Sequence, residues 1–337
     1  MGAVIPLKKE LDNSYLRLKN LIGNKLDEVS QRIKYKLASE INLIHKMTNY
    51  HVKSGGKRIR PLLTLASAKL CGYKNGNRDV NLAACIELIH NATLLHDDVL
   101  DNSNLRRGIK TANSVWGNQS SILVGDYLFS RCFEMMVEDG SQEILKLLSS
   151  TSSRIAQGEV LQLEHKGEVD LLEETYFNII NMKTAALFSA ATKVGACLAN
   201  KSKKEKDALE SYGKNLGLAF QIADDALDYF STKTAFGKEI GKDFYEGKTT
   251  MPLIIIFQRA NSEERNFLKE IFKKKNRNED DFSQTLALIN KYKAVQASFK
   301  RAEHFVNVSY DSLGIFQYSE EKKILQNLTE FSINRSF

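Results

Sequence analysis

Two short acidic motifs of the same form, Asp-Asp-x-x-Asp, could carry chemistry in this chain. The first is Asp97–Asp101, read as DDVLD, and the second is Asp224–Asp228, read as DDALD. In each motif the first and last aspartates are four residues apart, so on a helix they share one face. Carboxylates packed this closely repel one another, and a divalent cation would neutralise them. Because these motifs supply only oxygen ligands, magnesium or manganese is favoured over zinc.

Basic residues stand at several places where they could hold the oxygens of a phosphate group. The segment Gly55–Pro61, GGKRIRP, places Lys57 and Arg60 after two glycines, which allow the backbone to approach a ligand closely. Other cations follow an acidic motif or interrupt an apolar stretch: Arg106, Arg107, Lys183, Lys238 and Lys248. Two acidic walls, several cations and apolar surroundings together favour a metal-bridged diphosphate over isolated salt bridges.

The hydrophobic pattern predicts the helices that must position these side chains. Apolar residues recur at steps of three and four almost throughout, and only three prolines occur in 337 residues. The first motif ends the apolar stretch Leu82–Leu100, with His90 about two turns earlier on nearly the same face. Gln221 lies one turn before the second motif and can point into the same cleft. The longest irregular stretch, about 231–250, follows that motif, and long ordered loops are often functional.

No linker rich in proline, serine or glycine divides the chain, and no internal repeat of fixed period is present. We therefore expect an all-α fold, in which residues 1–337 form a single large helical bundle with a central active-site cavity.

Composition limits the expected cellular location of the protein and the kind of partner it binds. The four cysteines form no C-x-x-C pair, which is typical of core thiols in a reducing cytoplasm. Neither a signal peptide nor a membrane-spanning segment is expected, although peripheral contact with a membrane is left open. The net charge of +7 alone does not identify a partner. Because no nucleic-acid-binding motif accompanies it, we expect anionic small molecules rather than nucleic acid.

The order and spacing of these segments resemble those of trans-isoprenyl diphosphate synthases. The matching segments span roughly Asn49–Leu253 and read GGKRIRP, IHNATLLHDDVLD, NLRRG, KT, FQIADDALDY and GKEIGKDFYEGKTTMPL. Within this family the chain is most similar to the bacterial members that make octaprenyl diphosphate. The resemblance implies an isoprenoid-synthase bundle and a homodimer with a complete site in each subunit. It also implies magnesium-dependent addition of isopentenyl diphosphate to an allylic diphosphate, with farnesyl diphosphate as the expected primer.

The resemblance further implies a role for each candidate residue. About three magnesium ions on the allylic diphosphate would be held by Asp97, Asp101 and Asp224. The aspartates that support this metal cluster would be Asp98, Asp225 and Asp228. The side chains that grip the allylic diphosphate would be Arg106, Lys183, Gln221 and Lys238, with the Thr184 hydroxyl placed to stabilise a carbocation. The isopentenyl diphosphate would be bound by Lys57, Arg60, His90 and Arg107.

The length of the product is predicted from residues just before the first motif. Ala92 and Thr93 lie just over one turn before Asp97, where the growing chain would descend. Small side chains leave a channel open there, whereas short-chain relatives carry bulky aromatic residues nearby. We therefore expect a product of octaprenyl length, serving quinone side chains. Phe129 and Phe133 are candidates for the channel floor, with ordinary core packing as the alternative interpretation.

One residue departs from the family pattern. Lys242 stands where the family usually has an acidic residue, after the second glycine of the G-K-x-x-G stretch. Asp243 follows in the expected place, so we expect activity to be retained, with local metal or diphosphate binding altered.

Three other classes of protein share some of these features. A class I terpene cyclase also uses an aspartate-rich helix, but it would lack the basic set for a second diphosphate. An HD-type phosphohydrolase would use the His96-Asp97 pair, but His45, His51 and His165 show no supporting pattern. A non-catalytic subunit of a heteromeric synthase would be expected to lose motif aspartates, and all six are present.

Overall fold

The chain folds into helices joined by short connections, with one very small hairpin. The computed structural model describes residues 14–53, 56–74, 76–230 and 240–333. The first helices are α1 (14–22), α2 (Lys25–Lys36), α3 (Asn42–Lys53), α4 (Ile59–Leu70), α5 (Arg78–Leu100), α6 (Ala112–Trp116), α7 (Asn118–Asp139), α8 (Gln142–Glu164) and α9 (Glu173–Ile180). The later ones are α10 (Ala186–Leu198), α11 (Lys203–Leu227), α12 (Lys242–Glu246), α13 (Met251–Arg259), α14 (Ser262–Lys273), α15 (Glu279–Lys291), α16 (Ala294–Ser312) and α17 (Glu320–Ile333).

The remaining regular elements are short. Strands β1 (Leu105–Arg106) and β2 (Ile109–Lys110) pair antiparallel, a π-helical turn covers Asn181–Ala185, and a 3₁₀ turn covers Leu313–Ile315. The prediction of an all-α fold is therefore confirmed.

Both acidic motifs lie at the carboxyl ends of long helices. The first ends α5, which has 23 residues, and the second ends α11, which has 25 residues. The negative end of the helix dipole disfavours carboxylates at this position. The placement therefore works against helix stability, which indicates that the aspartates serve another purpose.

The hydrophobic core consists of two clusters, and α11 takes part in both. Leu209 and Tyr212, near its start, belong to a cluster built mainly from α2, α4, α5, α7, α8 and α10. Ile222 and Ala223, near its end, belong to a cluster built mainly from α9, α13, α14 and α16. The Tyr212 hydroxyl also donates a hydrogen bond of 2.8 Å to the Leu325 carbonyl, which ties α17 to this helix. The second motif is thus anchored to most of the chain.

Glycines allow α10 to pack closely against its neighbours. A Cβ atom on Gly213 of α11 would lie 2.4 Å from the Phe188 carbonyl oxygen, and one on Gly195 would lie 2.4 Å from the Ala68 amide nitrogen. Only glycine permits backbones to approach this closely. The approach fixes α10, and with it the preceding π-helical turn that carries Lys183 and Thr184, against the helix of the second motif.

Other sequence-based expectations can be checked against the fold. All four cysteines are buried free thiols, as predicted. Among the described residues, no helix is both long and apolar enough to cross a membrane. The stretch predicted to be irregular, about 231–250, contains the short helix α12, and its residues 231–239 lie outside the described part of the chain.

Candidate active site

The two acidic motifs are connected through the segment that contains α12. Lys248 places its ammonium 2.8 Å from one carboxylate oxygen of Asp101 in the first motif. Asp243 acts electrostatically on that same lysine, and its backbone N–H donates a 2.9 Å hydrogen bond to Asp228 in the second motif. A continuous path of polar contacts therefore joins the ends of α5 and α11.

Burial follows the same pattern in both motifs. The middle aspartates, Asp98 and Asp225, are almost fully buried, with 1% and 5% of their surface exposed. The outer aspartates are half-buried: Asp97, Asp101, Asp224 and Asp228. The outer carboxylates are thus the ones that a ligand can reach, which is consistent with the predicted division between metal ligands and supporting residues.

Asp98 is held by an arginine of the small hairpin. Arg106, on β1, donates from Nε at 2.9 Å and from Nη2 at 2.8 Å to the same carboxylate oxygen. Burial raises the pKa of Asp98, and the Arg106 guanidinium opposes that rise. The hairpin between the two strands therefore fixes one guanidinium directly beside the first motif.

Asp101 is paired with a cation from the other side of the site. Burial alone would raise the pKa of Asp101, but Lys248 reverses the effect and lowers it, with smaller contributions from Lys183 and Lys242. Lys248 also lies 2.7 Å from Glu246, so two carboxylates share one ammonium group. Burial opposes the charge of Lys248, and attraction to Asp101 more than offsets this, raising its pKa.

Lys183 reaches the first motif from the π-helical turn. Its ammonium lies 2.7 Å from Glu159 and 2.9 Å from the Gln162 side-chain oxygen, both on α8, and it is attracted by Asp97. Gly158 makes this approach possible, because a Cβ there would lie 2.8 Å from the Lys183 backbone nitrogen. Burial raises the pKa of Glu159 to about 7.

Neutral groups hold the middle aspartate of the second motif. The Tyr176 hydroxyl and the Gln221 amide each donate a 2.7 Å hydrogen bond to Asp225, one to each carboxylate oxygen. Gln221 in turn accepts a 2.8 Å hydrogen bond from the Thr184 hydroxyl. Burial raises the pKa of Asp225 to about 8, and repulsion by Asp243 adds to the rise. These side chains line a cavity of about 190 Å³ together with Lys183 and Lys248.

A second group of cations surrounds His90. Burial lowers the pKa of His90 well below its usual value, and repulsion from Arg60, Arg106 and Arg107 lowers it further, so the ring is neutral. Burial likewise lowers the pKa of Arg60 to about 10, and Glu87 opposes that change. The Arg60 guanidinium lies 4.5 Å above the Phe188 ring. An anion placed here would meet several cations whose charge is only partly compensated.

Glycine also brings Arg107 into this group. A Cβ on Gly56 would lie 2.6 Å from the Arg107 guanidinium, so a larger residue would displace it. The side chain of Lys57 is exposed, and its backbone carbonyl accepts a 2.9 Å hydrogen bond from Tyr15. Ser54 and Gly55, which precede this segment, lie outside the described residues.

The carboxylates fit a hard divalent cation in their chemistry but do not form a finished binding site. In the ranges 14–53, 56–74, 76–230 and 240–333, no three His, Cys, Asp or Glu side chains converge to hold a metal ion. Instead, Asp98 and Asp101 are neutralised by Arg106 and Lys248. Half-buried oxygen donors on two facing helix ends are nevertheless the ligand type that magnesium prefers, completed by water and phosphate oxygens.

His96 belongs to the helix packing rather than to the charged site. Its Nε2 atom lies 3.2 Å from the Ile122 carbonyl oxygen on α7, and its ring stacks on Phe129 at 6.0 Å between centroids. A Cβ on Gly125 would clash with this ring. Because the imidazole contacts α7, the His96-Asp97 pair gives no support to an HD-type metal site.

The channel residues separate into two groups. Ala92 is fully buried and Thr93 is half-buried, which places both inside the bundle. Phe129 is packed against the core, whereas 46% of the Phe133 surface is exposed on α7. Phe129 thus remains a candidate for the channel floor, while Phe133 faces outward.

The structure brings together nearly all the side chains predicted from sequence. Lys238 falls in residues 231–239, outside the described part of the chain, and the side chain of Lys57 is exposed. Sequence reasoning missed several residues that contact the predicted ones or act on them electrostatically: His51, Glu87, Glu159, Gln162 and Tyr176. For Glu159 and Gln162 a signal did exist, because a helical glycine is followed by two polar residues three apart on one face.

Comparisons with known proteins agree with this geometry. Residues 41–289 match the family model described as polyprenyl synthetase. The chain is 34% identical to octaprenyl diphosphate synthase of Haemophilus influenzae over 331 residues, covering 98% of this chain and 100% of that protein. It is 36% identical to the Escherichia coli K12 protein of the same name over 319 residues, covering 95% and 98%. A polyprenyl synthase from Caulobacter crescentus, solved with calcium and isoprenyl diphosphate, superposes with a TM-score of 0.92 at 40% identity, covering 96% and 98%.

Proposed function

The chain belongs to the polyprenyl synthetase family and is a prenyltransferase, and we propose that it builds long all-trans polyprenyl diphosphates. In this proposal, isopentenyl diphosphate is added repeatedly to an allylic primer, expected to be farnesyl diphosphate, with magnesium required. The observation that carries it is the joining of two aspartate motifs through Lys248 and Asp243 beside a cavity framed by cations.

The outer aspartates are proposed to bind the metal ions. Asp97, Asp101 and Asp224 would hold about three Mg²⁺, which supply charge stabilisation for the departing diphosphate. The buried partners would keep these helix ends in place, because Arg106 fixes Asp98, and Tyr176 and Gln221 fix Asp225. Asp228, which accepts from the α12 backbone, would do the same.

Fixed cations are proposed to hold the allylic diphosphate while its bond to carbon breaks. Lys183 is positioned by Glu159 and Gln162, so its ammonium needs little reorganisation when the diphosphate arrives. Arg106, Gln221 and Lys238 are proposed to complete this set. The Thr184 hydroxyl, oriented by Gln221, would present its dipole toward the carbocation.

The second diphosphate is proposed to bind the cationic group around His90. Neutral His90 can donate one hydrogen bond, while Arg60 and Arg107 supply the charge and Lys57 reaches in from the exposed side. Binding the two diphosphates at separate cationic groups would place both substrates side by side, which lowers the entropic part of the barrier.

A product of octaprenyl length is proposed, consistent with use in quinone side chains. The support is the small size of Ala92 and Thr93 inside the bundle and the octaprenyl relatives in H. influenzae and E. coli.

We also propose that the whole chain, 1–337, is one domain and that two copies form a homodimer. The participation of α11 in both hydrophobic clusters supports a single domain. A dimer is supported by the apolar side chains on α7 that remain exposed: Ile122, Leu123, Phe133 and Val137. A cytoplasmic location is proposed, with contact to a membrane surface limited to product release.

Product analysis tests the proposal. Purified protein is incubated with farnesyl diphosphate, labelled isopentenyl diphosphate and magnesium, and the dephosphorylated products are sized by chromatography. The proposal expects a magnesium-dependent ladder that ends at octaprenol. The Thr93→Phe variant should end its ladder earlier, because the ring fills the channel. A wild-type ladder ending at three or four units would reject the long-chain claim, and no extension of either farnesyl or geranylgeranyl diphosphate would reject the synthase.

A further inference from the structure

The ammonium of Lys242 lies beside the first acidic motif and acts electrostatically on Asp98 and Asp101. It is the first residue of α12, and its ammonium donates a 2.6 Å hydrogen bond to the Ser103 hydroxyl, just beyond that motif. Ser103 is itself buried, with 5% of its surface exposed, and its backbone N–H donates to the Asp98 carbonyl at 2.9 Å. The lysine side chain is 39% exposed, so it lies at the mouth of the site.

The same ammonium acts on the motif carboxylates and continues a chain of alternating charges. It lies 3.4 Å from Glu246, whose other oxygen lies 2.7 Å from Lys248, which in turn contacts Asp101. Burial raises the pKa of Asp98, and Lys242 is among the cations that oppose the rise. Lys242 thus adds a third positive charge, beside Arg106 and Lys248, to the corner that holds Asp98, Asp101 and Glu246.

We propose that Lys242 prevents the first acidic motif from binding a divalent cation by itself, so that a metal ion binds at this motif only together with a diphosphate. This inference rests on the proposed function, because it concerns how that site acquires its metal and its substrate. Because Lys242 offsets part of the negative charge of the motif, a free divalent cation gains less by approaching Asp101 and is repelled by the nearby ammonium groups.

A diphosphate changes this balance. It brings several negative charges, which attract the Lys242 ammonium from its neutral Ser103 partner and restore a net negative site for the metal. Lys242 is therefore a specificity-determining residue. It favours binding of the metal–diphosphate pair at the first motif over binding of a free metal ion there. An aspartate at this position would reverse both preferences, since it would replace a positive charge beside the motif with a negative one.

Two binding titrations test the inference without turnover. Mn²⁺ binding to the protein without diphosphate is measured by electron paramagnetic resonance of free Mn²⁺. Inorganic diphosphate binding without metal is measured calorimetrically in EDTA. We expect Lys242→Asp to bind Mn²⁺ about tenfold more tightly and diphosphate about tenfold more weakly than wild type. Lys242→Gln, which removes the charge but keeps a hydrogen-bonding group, should fall between them in both titrations.

Lys203→Asp is the matched control. Lys203 is also the first residue of a helix and is exposed, and it lies 21 positions before Asp224 on α11, a distance of about 32 Å. This variant should stay within about twofold of wild type in both titrations.

Two outcomes would overturn the inference. In one, Lys242→Asp binds Mn²⁺ no more tightly than wild type; in the other, Lys203→Asp shifts by as much as Lys242→Asp. Circular dichroism of each variant shows whether it is folded. Failure of the proposed condensation would appear only in the product assay, so the two claims are judged separately.

Discussion

The two acidic motifs have the same spacing, lie at the same end of a helix and show the same burial, yet their partners differ in kind. In the first motif, Asp98 and Asp101 are paired with the charged groups of Arg106 and Lys248. In the second, Asp225 is held by the neutral donors of Tyr176 and Gln221.

This difference has consequences for what each motif can do. The ion pair at Asp101 joins α5 to a lysine 147 residues away, so a metal ion that binds Asp101 has to displace this ammonium. The hydrogen bonds at Asp225 come from neutral groups, so any negative potential of this motif comes from its outer aspartates, Asp224 and Asp228. We infer that a metal ion at the first motif displaces a lysine ammonium, whereas the second motif attracts a metal ion directly.

Loss of an outer aspartate should have the largest effect, and it should be similar in both motifs. Asp97→Asn and Asp224→Asn each remove the charge of a proposed metal ligand, so we expect turnover to fall at least about a thousandfold. Incorporation of labelled isopentenyl diphosphate measures this. Asp207→Asn, an exposed site on α11, should retain wild-type turnover. Near-normal activity in either motif variant would mean that this motif is not part of the metal site.

Removal of Lys248 should affect the first motif specifically. Lys248→Met leaves Asp101 and Glu246 without their shared cation, so without metal the free energy of unfolding should drop by about 2 kcal/mol. The control is Lys269→Met, which breaks a 3.0 Å pair with Asp170 in which both side chains are about half exposed. Its cost should stay below about 1 kcal/mol. Urea denaturation in EDTA compares the two, and equal losses would contradict the special role given to Lys248.

The middle aspartates should respond differently to the same substitution. Asp98→Asn leaves the Arg106 guanidinium without its carboxylate, and we expect a loss of about 1–3 kcal/mol in the free energy of unfolding. In Asp225→Asn, the neighbouring hydroxyl and amide groups are neutral and can reorient to hydrogen-bond the new amide. The loss in the free energy of unfolding should therefore be below about 1 kcal/mol. Denaturant unfolding in metal-free buffer measures both values. A larger loss for Asp225→Asn would reverse the distinction between the motifs.

A buried carboxylate outside both motifs, Glu87, shows the effect of burial among cations. Burial raises the pKa of Glu87 to about 7, and Arg60 opposes the rise. The protonated form therefore favours the folded chain, a contribution that is complete below the unfolded pKa and is lost as pH rises through 7. Between pH 5 and pH 8, wild type should lose at least about 1 kcal/mol of stability relative to Glu87→Gln. Urea denaturation across this range measures the difference, and a constant difference would contradict the raised pKa.

The sequence predicts those parts of the site that depend on local spacing. Helix α5, predicted over Leu82–Leu100, runs over Arg78–Leu100, and it carries its motif at the expected end. The approach of Arg106 to Asp98 also spans only eight residues, across the short turn that leads from α5 into the hairpin. Spacing along one helix or one turn fixes such relations.

The partners that hold the site together could not be predicted in the same way. Lys248 meets Asp101, and Tyr176 meets Asp225, only because distant helices pack side by side. Tertiary packing decides these contacts. Helical periodicity shows which residues share a face of one helix, but it does not show which distant helix packs against that face. The different character of the two motifs therefore becomes visible only in the structure.

The most direct test of the account is to locate the metal ions. Crystals grown with Mn²⁺ and inorganic diphosphate would show manganese in anomalous difference maps. We expect ions bound by Asp97 and Asp101 on one side and by Asp224 on the other, bridged by the same diphosphate. Manganese confined to one motif, or a diphosphate bound away from both, would contradict the claim that the two motifs form one catalytic site.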